Sequence, residues 1–176
     1  GSRWAVKAQI HAGGRGEGGG VELAESLDQV AEAAGKILGM NLVTEQTDSV
    51  GRKVSRLLVE EAVGISKELY LGLVSDRSSQ RVVLILSLSG GTNIEQVAEQ
   101  RSEAISRFPI DPSTNLDTTQ IVQMARRLGL DELVAEEIGD LSDKLYTLYW
   151  DHDAILAEIN PLVLGIEGGL TALDAK

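Results

Sequence analysis

The sequence predicts an α+β fold, and two observations point to it. Strand-like runs recur in adjacent pairs joined by short polar turns, as antiparallel hairpins require. Amphipathic helical stretches fall between those pairs rather than alternating strictly with single strands, which argues against a doubly wound parallel sheet. Only 3% of residues are aromatic against 43% hydrophobic overall, so the core must be aliphatic. With 176 residues the chain is long enough for one ordinary domain or two small lobes.

Residues 4–10 alternate as a strand, with Trp4, Val6, Ala8 and Ile10 on one side and Lys7 and Gln9 on the other. A loop over 12–20 with six glycines follows, then a short return strand over 21–24. Ser26 is placed to cap a helix over 27–38, whose stripe is Val30, Ala33, Ala34 and Ile37. Segments 42–46 and 53–61 read as two strands around a polar turn at 47–51, and 68–75 with 81–87 as another pair around 76–80. Gly90-Gly91 ends that pair. Thr92 or Asn93 then caps a helix over 94–105, and Asp111-Pro112-Ser113 breaks the chain. Helices near 118–128 and 131–150 are separated at Gly129. Segment 62–67, bracketed by Glu60-Glu61 and Glu68, reads as a crossover between two lobes and as a hinge.

The last 22 residues, 155–176, hold two apolar runs around the turn-rich Gly165-Ile166-Glu167-Gly168-Gly169. A turn centred on Glu167 sets Asn160 opposite Asp174 and Glu158 opposite Lys176. Directly opposed side chains on one sheet face stand about 5 Å apart. An amide oxygen and a carboxylate held that way suit Mg²⁺, a hard cation that takes one or two protein carboxylates and fills its shell with water and phosphate oxygens. A surface hairpin with ordinary polar residues explains the same pattern equally well.

Residues 14–19 fit G-x-G-x-x-G, but a strand over 21–24 follows where the dinucleotide fingerprint needs a helix N-terminus. No Gly-Lys-Ser/Thr occurs, which removes the Walker A alternative. What remains is strand, glycine flap, strand. Backbone N–H groups of such a flap approach phosphate oxygens closely, and Arg15 adds a charge-assisted fork. The alternative is a flexible hairpin tip; the ordering entropy of so many glycines favours a flap that orders on a ligand. Lys7, on the preceding strand, is within reach of phosphates beneath it. Glu60, Glu61 and Glu68 are candidates to accept from a ribose hydroxyl or an adenine amine, with a solvated acidic linker as the alternative. His11 and His152 lack the partner spacing of a metal site or a triad.

A formal net charge of -11 and the lack of any Lys or Arg block argue against nucleic-acid and anionic-membrane partners. No apolar run approaches the roughly 18 residues of a membrane span, and no signal-peptide pattern is present. The chain contains no cysteine, which excludes disulfides, thiolate–zinc sites and cysteine nucleophiles and fits a reducing, intracellular compartment. Gly1-Ser2 reads as a tag-cleavage remnant and 4–10 begins mid-strand, so the sequence reads as a piece of something longer.

Four stretches in one order carry a resemblance: Lys7-Ala8-Gln9-Ile10-His11-Ala12-Gly13-Gly14-Arg15-Gly16; Leu58-Val59-Glu60-Glu61-Ala62; Lys67-Glu68-Leu69-Tyr70-Leu71-Gly72; and Glu158-Ile159-Asn160-Pro161-Leu162 through Leu173-Asp174. Together they resemble the ATP-grasp region of the succinyl-CoA synthetase (succinate–CoA ligase) β-subunit family, and also malate–CoA ligase β subunits and ATP-citrate lyase. The resemblance implies an ATP-grasp fold, with two α+β lobes of mixed or antiparallel sheets around a nucleotide cleft. Residues 1–61 would be the first lobe, truncated N-terminally, and 62–176 the second, with the magnesium hairpin. It further implies that Lys7 and the Gly14-Arg15-Gly16 loop contact nucleotide phosphates. Glu60, the backbone at Val63, and Glu68 would hold base and ribose, and Asn160 and Asp174 would bind Mg²⁺.

In that family a phosphoryl group passes from ATP or GTP to a histidine on an α subunit, then to a dicarboxylate, and CoA forms the thioester. The expected partners are therefore the α subunit, CoA and the dicarboxylate, in the cytoplasm or, in a eukaryote, the mitochondrial matrix. Neither His11 nor His152 matches the family's phosphohistidine, so the isolated piece is expected to be inactive. Malate or citrate as the acid, or a non-catalytic nucleotide-binding or assembly module with a decayed site, are the alternatives. Three departures bear on the last. Glu17 stands where the family has lysine, which weakens anion binding unless the carboxylate points outward. Ser87-Leu88-Ser89-Gly90-Gly91 lacks the usual acidic residue before the two glycines, and 112–116 deviates from the usual loop. The family's N-terminal segment and its C-terminal flavodoxin-like domain are expected to lie outside these residues.

Overall fold

A computed structural model describes residues 2–176. Gly1, read above with Ser2 as a tag remnant, lies outside the described residues. The chain divides into two compact units, Gly1–Val63 and Gly64–Lys176.

In the first unit, strand β1 (Trp4–Ala8) is central in an antiparallel sheet of order β2–β1–β5, with β2 at Val21–Ala24 and β5 at Leu57–Glu61. Val6 pairs with Val59 and with Glu22. Helix α1 (Leu27–Ile37) starts at Ser26, whose Oγ accepts from the Gln29 N–H at 3.2 Å. Its buried Ala33 and Ile37 close a small core with Val6, Ala8, Leu42 and Val54. The expected hairpin of 42–46 with 53–61 is largely absent. Only β3 (Asn41–Leu42) pairs with β4 (Arg52–Lys53), and β5 pairs with β1 instead. Local side chains end that ladder early: the Thr44 N–H donates to Thr47 Oγ1, and the Gly51 N–H to Asp48 Oδ1.

The second unit is built on an antiparallel five-stranded sheet, order β10–β9–β6–β7–β8. Here β6 is Ile65–Asp76, β7 Arg81–Ser87, β8 Ile105–Ile110, β9 Leu156–Gly165 and β10 Leu170–Ala172. Helix α2 (Ile94–Gln100) leads from β7 to β8, while α3 (Thr118–Arg127) and α4 (Glu132–Asp151) start at the capping carboxylates of Asp117 and Asp131. Leu69, Leu71 and Leu73 of β6 join Leu84 and Leu86 of β7 in one core with Ile121 of α3 and Ile138 of α4. The face of the sheet packed on α3 and α4 is thus apolar, and alternation puts Glu68, Tyr70 and Gly72 on the other.

Two expectations fail here. The helix expected over 94–105 stops at Gln100, and a 3-10 turn at Ser102–Ala104 leads into β8. Pro109 hides this strand in the sequence and is tolerated because β8 lies at the sheet edge. Strand β6 starts at Ile65, which pairs with Gly165, so 62–64 alone separate β5 from β6 and the expected linker over 62–67 is shorter.

Candidate functional site

The terminal hairpin has the register its turn predicts. Leu164 pairs with Leu170, Leu162 with Ala172, and Ile159 bridges to Ala175. The Asn160 N–H donates to the Asp174 carbonyl at 3.0 Å, and Glu158 and Lys176 exchange backbone hydrogen bonds of 2.9 Å. On the other side β9 pairs with β6, and there the register slips: Leu69 faces Leu162, but Leu71 faces Ile159. One extra residue of β9 is accommodated at Asn160-Pro161. Such a bulge re-aims a side chain.

Asn160 is turned toward the segment after β7. Its Oδ1 accepts from the Gly91 N–H at 2.8 Å, and its Nδ2 donates to the Thr92 carbonyl at 2.9 Å. Two residues before it, the Glu158 carboxylate accepts from the Tyr70 hydroxyl at 2.9 Å. Burial, and then the charge of Glu158, push the Tyr70 hydroxyl well above the usual phenol range. Gly72 makes room for that ring, since a β-carbon there would lie 2.5 Å from the Tyr70 hydroxyl. Glu68, half-buried, lines a cavity of about 590 Å³ with Lys67, Gly90, Thr92, Asn93 and Gln96. That volume falls in the range of small-molecule sites.

The Asn160 amide oxygen and the Asp174 carboxylate, on paired backbone positions, are the hard-oxygen donors that Mg²⁺ takes, so the residues present fit that ion. Among the described residues, no three His, Cys, Asp or Glu side chains gather as a metal-binding group.

In the first unit, Lys7 Nζ forms an ion pair with Glu60 Oε1. The two are diagonal across β1 and β5, since Ala5 faces Glu60 and Lys7 faces Leu58. The pair is largely buried on the lysine side, at 13% exposure. The glycine segment is closed on itself: the Gly18 N–H donates to the Gly14 carbonyl, Gly19 to Gly16, and Gly20 to Arg15. Gly18 lies so close to β3 that a β-carbon would come within 2.5 Å of the Val43 carbonyl oxygen. The Arg15 guanidinium donates to the Ala8 carbonyl at 2.9 Å rather than standing out as a fork, and the Glu17 side chain is exposed. Val63, also exposed, is the last residue of this unit. His11 and His152 are both exposed.

Sequence reasoning named Lys7, Glu60 and Asn160 but missed what holds them. Tyr70 and Gly72 share a face with Glu68 by simple alternation, so their place was readable. The Asn160 contacts to Gly91 and Thr92 link distant segments and carry no local signal.

The ATP-grasp domain family matches residues 1–164. The chain is 52% identical over 173 residues to the "Succinate--CoA ligase [ADP-forming] subunit beta" of Burkholderia thailandensis, covering 98% of this chain and 45% of the relative. It is 50% identical to the protein of that name in Paraburkholderia xenovorans, covering 98% of this chain and 44% of the relative. The chain therefore spans less than half the length of the curated relatives it matches. The ATP citrate lyase from Methanothrix soehngenii, solved with citrate and coenzyme A, superposes with a TM-score of 0.62 at 19% identity, over 99% of this chain and 38% of that one. The dinucleotide-forming acetyl-coenzyme A synthetase 1 of Ca. Korarchaeum cryptofilum gives 0.63 at 19% identity, over 98% and 73%. These distant structures share the fold alone. Among the described residues no helix is long and apolar enough to cross a membrane. With the family matched over nearly its whole length, the chain belongs to the ATP-grasp domain family.

Proposed function

We propose that this chain supplies nucleotide- and magnesium-binding groups of the β subunit of a succinate–CoA ligase. The reaction would join succinate and CoA at the expense of ATP, giving succinyl-CoA, ADP and phosphate through a phosphohistidine on an α subunit. The observation that carries this reading is the likeness, along nearly the whole chain, to β subunits named for that reaction. Their names specify ADP formation, which favours ATP over GTP. Succinate is favoured over malate or citrate on the same ground, because the citrate-cleaving structure shares only the fold. The setting would be a reducing intracellular compartment.

The residues divide the work by their chemistry. Lys7 and the backbone of Gly14, Arg15 and Gly16 would meet the phosphates, with Glu60 holding the lysine in place until an anion arrives. Glu60, the backbone at Val63, and Glu68 would take ribose and base, Glu68 from the wall of its cavity. Asn160 and Asp174 would hold Mg²⁺, which when bound neutralises phosphate charge. Phosphoryl transfer asks little covalent chemistry of a protein, so positioning and fixed charge suffice.

Calorimetric titration of the chain with ATP, with and without Mg²⁺, and with Asp174→Asn alongside, tests the site. Magnesium-dependent binding that disappears in the variant supports it; binding indifferent to both removes it. A Glu17→Lys variant should gain ATP affinity if Glu17 is one altered contact in a working site, and should barely respond in a decayed module. For the whole β subunit with its α partner, thioester formation from malate or citrate but not succinate would overturn the choice of acid.

A further inference from the structure

We infer that the Gly90-Gly91-Thr92 turn is a positioning element that presents the Asn160 amide oxygen, and never its NH₂, to a divalent cation. The inference rests on the reading of Asn160 as a magnesium ligand and names what orients it.

An asparagine amide is nearly symmetric in shape but opposite in chemistry at its two ends. Only the oxygen can ligate Mg²⁺. Both ends of Asn160 are fixed by consecutive backbone groups: the Gly91 N–H donates to Oδ1 at 2.8 Å, and the Thr92 carbonyl accepts from Nδ2 at 2.9 Å. A flipped amide would oppose donor to donor and acceptor to acceptor, so one orientation survives. The oxygen retains a second lone pair for a cation. Groups that orient a metal ligand in this way are worth a large part of the affinity.

The turn can reach Asn160 only because it lies directly on β6. The Gly90 N–H donates to the Glu68 carbonyl at 3.0 Å. A β-carbon on Gly90 would stand 2.0 Å from the Leu69 carbonyl oxygen, a clash with backbone. Gly91 has φ +69°, and its β-carbon would meet Glu68 Oε2 at 2.3 Å. A side chain at Gly90 would push the turn off β6 and so off Asn160; at Gly91 the left-handed φ strains any other residue, and the Glu68 carboxylate would have to swing aside. This gives the Gly90-Gly91 pair a function that its place at the end of β7 does not require.

Gly91→Ala and Asn160→Asp test the inference in the same chain. The quantity read is the gain in ATP affinity on adding Mg²⁺, by calorimetry, together with the Asn160 side-chain NH₂ signals in a ¹⁵N spectrum. Gly91→Ala should reduce the magnesium gain about 10- to 100-fold and shift the Asn160 NH₂ signals, whatever it does to magnesium-free ATP affinity through Glu68. Asn160→Asp should also reduce the gain, because its second oxygen would face the Thr92 carbonyl. A ligand acting only through charge would instead bind more tightly as aspartate. A folded Gly91→Ala chain with full magnesium gain, or a tighter Asn160→Asp, overturns the inference. Should Gly91→Ala fail to fold, the aspartate variant decides alone. No magnesium gain in the unaltered chain would overturn the magnesium reading and this inference together; a gain insensitive to Gly91→Ala would overturn the inference only.

Discussion

The two units hold their candidate residues by different means. In Gly1–Val63 the core cluster consists of Val6, Ala8, Ala33, Ile37, Leu42 and Val54, and the phosphate-facing candidates sit on a glycine loop and a short strand above it. In Gly64–Lys176 a continuous cluster from Leu69 to Leu162 backs a five-stranded sheet, and the candidate metal ligands stand at paired positions beside it. Backbone N–H groups that wrap a phosphate need a loop able to adjust, whereas a cation needs oxygens held at fixed separation. The glycine-rich loop over a small core suits the first task once its own hydrogen bonds open, and strand register suits the second. Local opening should accordingly be easier in the first unit.

Truncation of one fully buried leucine in each unit has the largest expected effect. Leu71→Ala, in the middle of β6, should cost about 2–5 kcal/mol. Leu42→Ala falls in the same range, and it adds a local consequence. The Leu42 methyl groups are what β-carbons on Gly18 and Gly20 would strike, so the glycine loop rests on that side chain. Denaturant midpoints give the totals, and hydrogen exchange separates the regions. Leu42→Ala should speed exchange at the Gly18 and Gly20 amides while β6 amides stay protected. Equal loss of protection in both units would mean that they open as one, and the contrast would fail.

Tyr70→Phe sharpens the contrast through pH. The hydroxyl donates to a carboxylate from a buried position, a bond worth about 1.5–3 kcal/mol. Burial and Glu158 raise its folded-state pKa above the unfolded value of about 10. A raised folded value means the stabilisation is complete below about pH 10 and declines as pH rises above it. Denaturant midpoints between pH 8 and pH 11 should therefore fall at the alkaline end in the unaltered chain, and Tyr70→Phe should start lower but fall less. All three tyrosines of the chain lie beyond Val63, so the glycine-loop amides should not share this sensitivity beyond their intrinsic exchange. An equal alkaline fall in Tyr70→Phe would remove Tyr70 as its source.

The same contrast governs what the sequence disclosed. The terminal hairpin was legible because its glycines mark a turn between two apolar runs; pairing of Asn160 with Asp174 follows from centring that turn on Glu167. Strand β7 was legible as a short, β-branched-rich apolar run after the polar turn 76–80. Strand β8 was not, because Pro109 argues against a strand and its pairing with β7 is a tertiary fact. The 42–61 segment misled because its Thr and Asp side chains satisfy the backbone locally, which composition does not reveal. For the site, residue types at spacing gave Lys7, Glu60 and Asn160. The Lys7–Glu60 diagonal depended on knowing that β5 pairs with β1, and the hold on Asn160 depended on a bulge. Glycine content reported freedom in the 12–20 loop; it could not report the hydrogen bonds that close it.

The smallest expected effect lies in the turn between β6 and β7. The half-buried Asp76 carboxylate accepts from the hydroxyls and N–H groups of Ser79 and Ser78, the Ser79 hydroxyl first, and these bonds draw its pKa down to about 2. Ser113 lowers Asp111 in the same sense, and Gln120 lowers Asp117. A folded value below the unfolded value of about 3.9 stabilises above that pH, and the contribution is lost as pH falls through about 2. All three carboxylates belong to the second unit and tie a turn or a helix start to its own next residues. On acidification the better-packed unit should therefore lose these turn contacts while its core sheet stays protected. Asp76→Asn should flatten the acid limb of the melting temperature slightly between pH 4 and pH 2. A side-chain carboxyl NMR titration of Asp76 with a midpoint near the ordinary value would remove the serine bonds as a source of acid sensitivity. It would leave the contrast between the units resting on their cores alone.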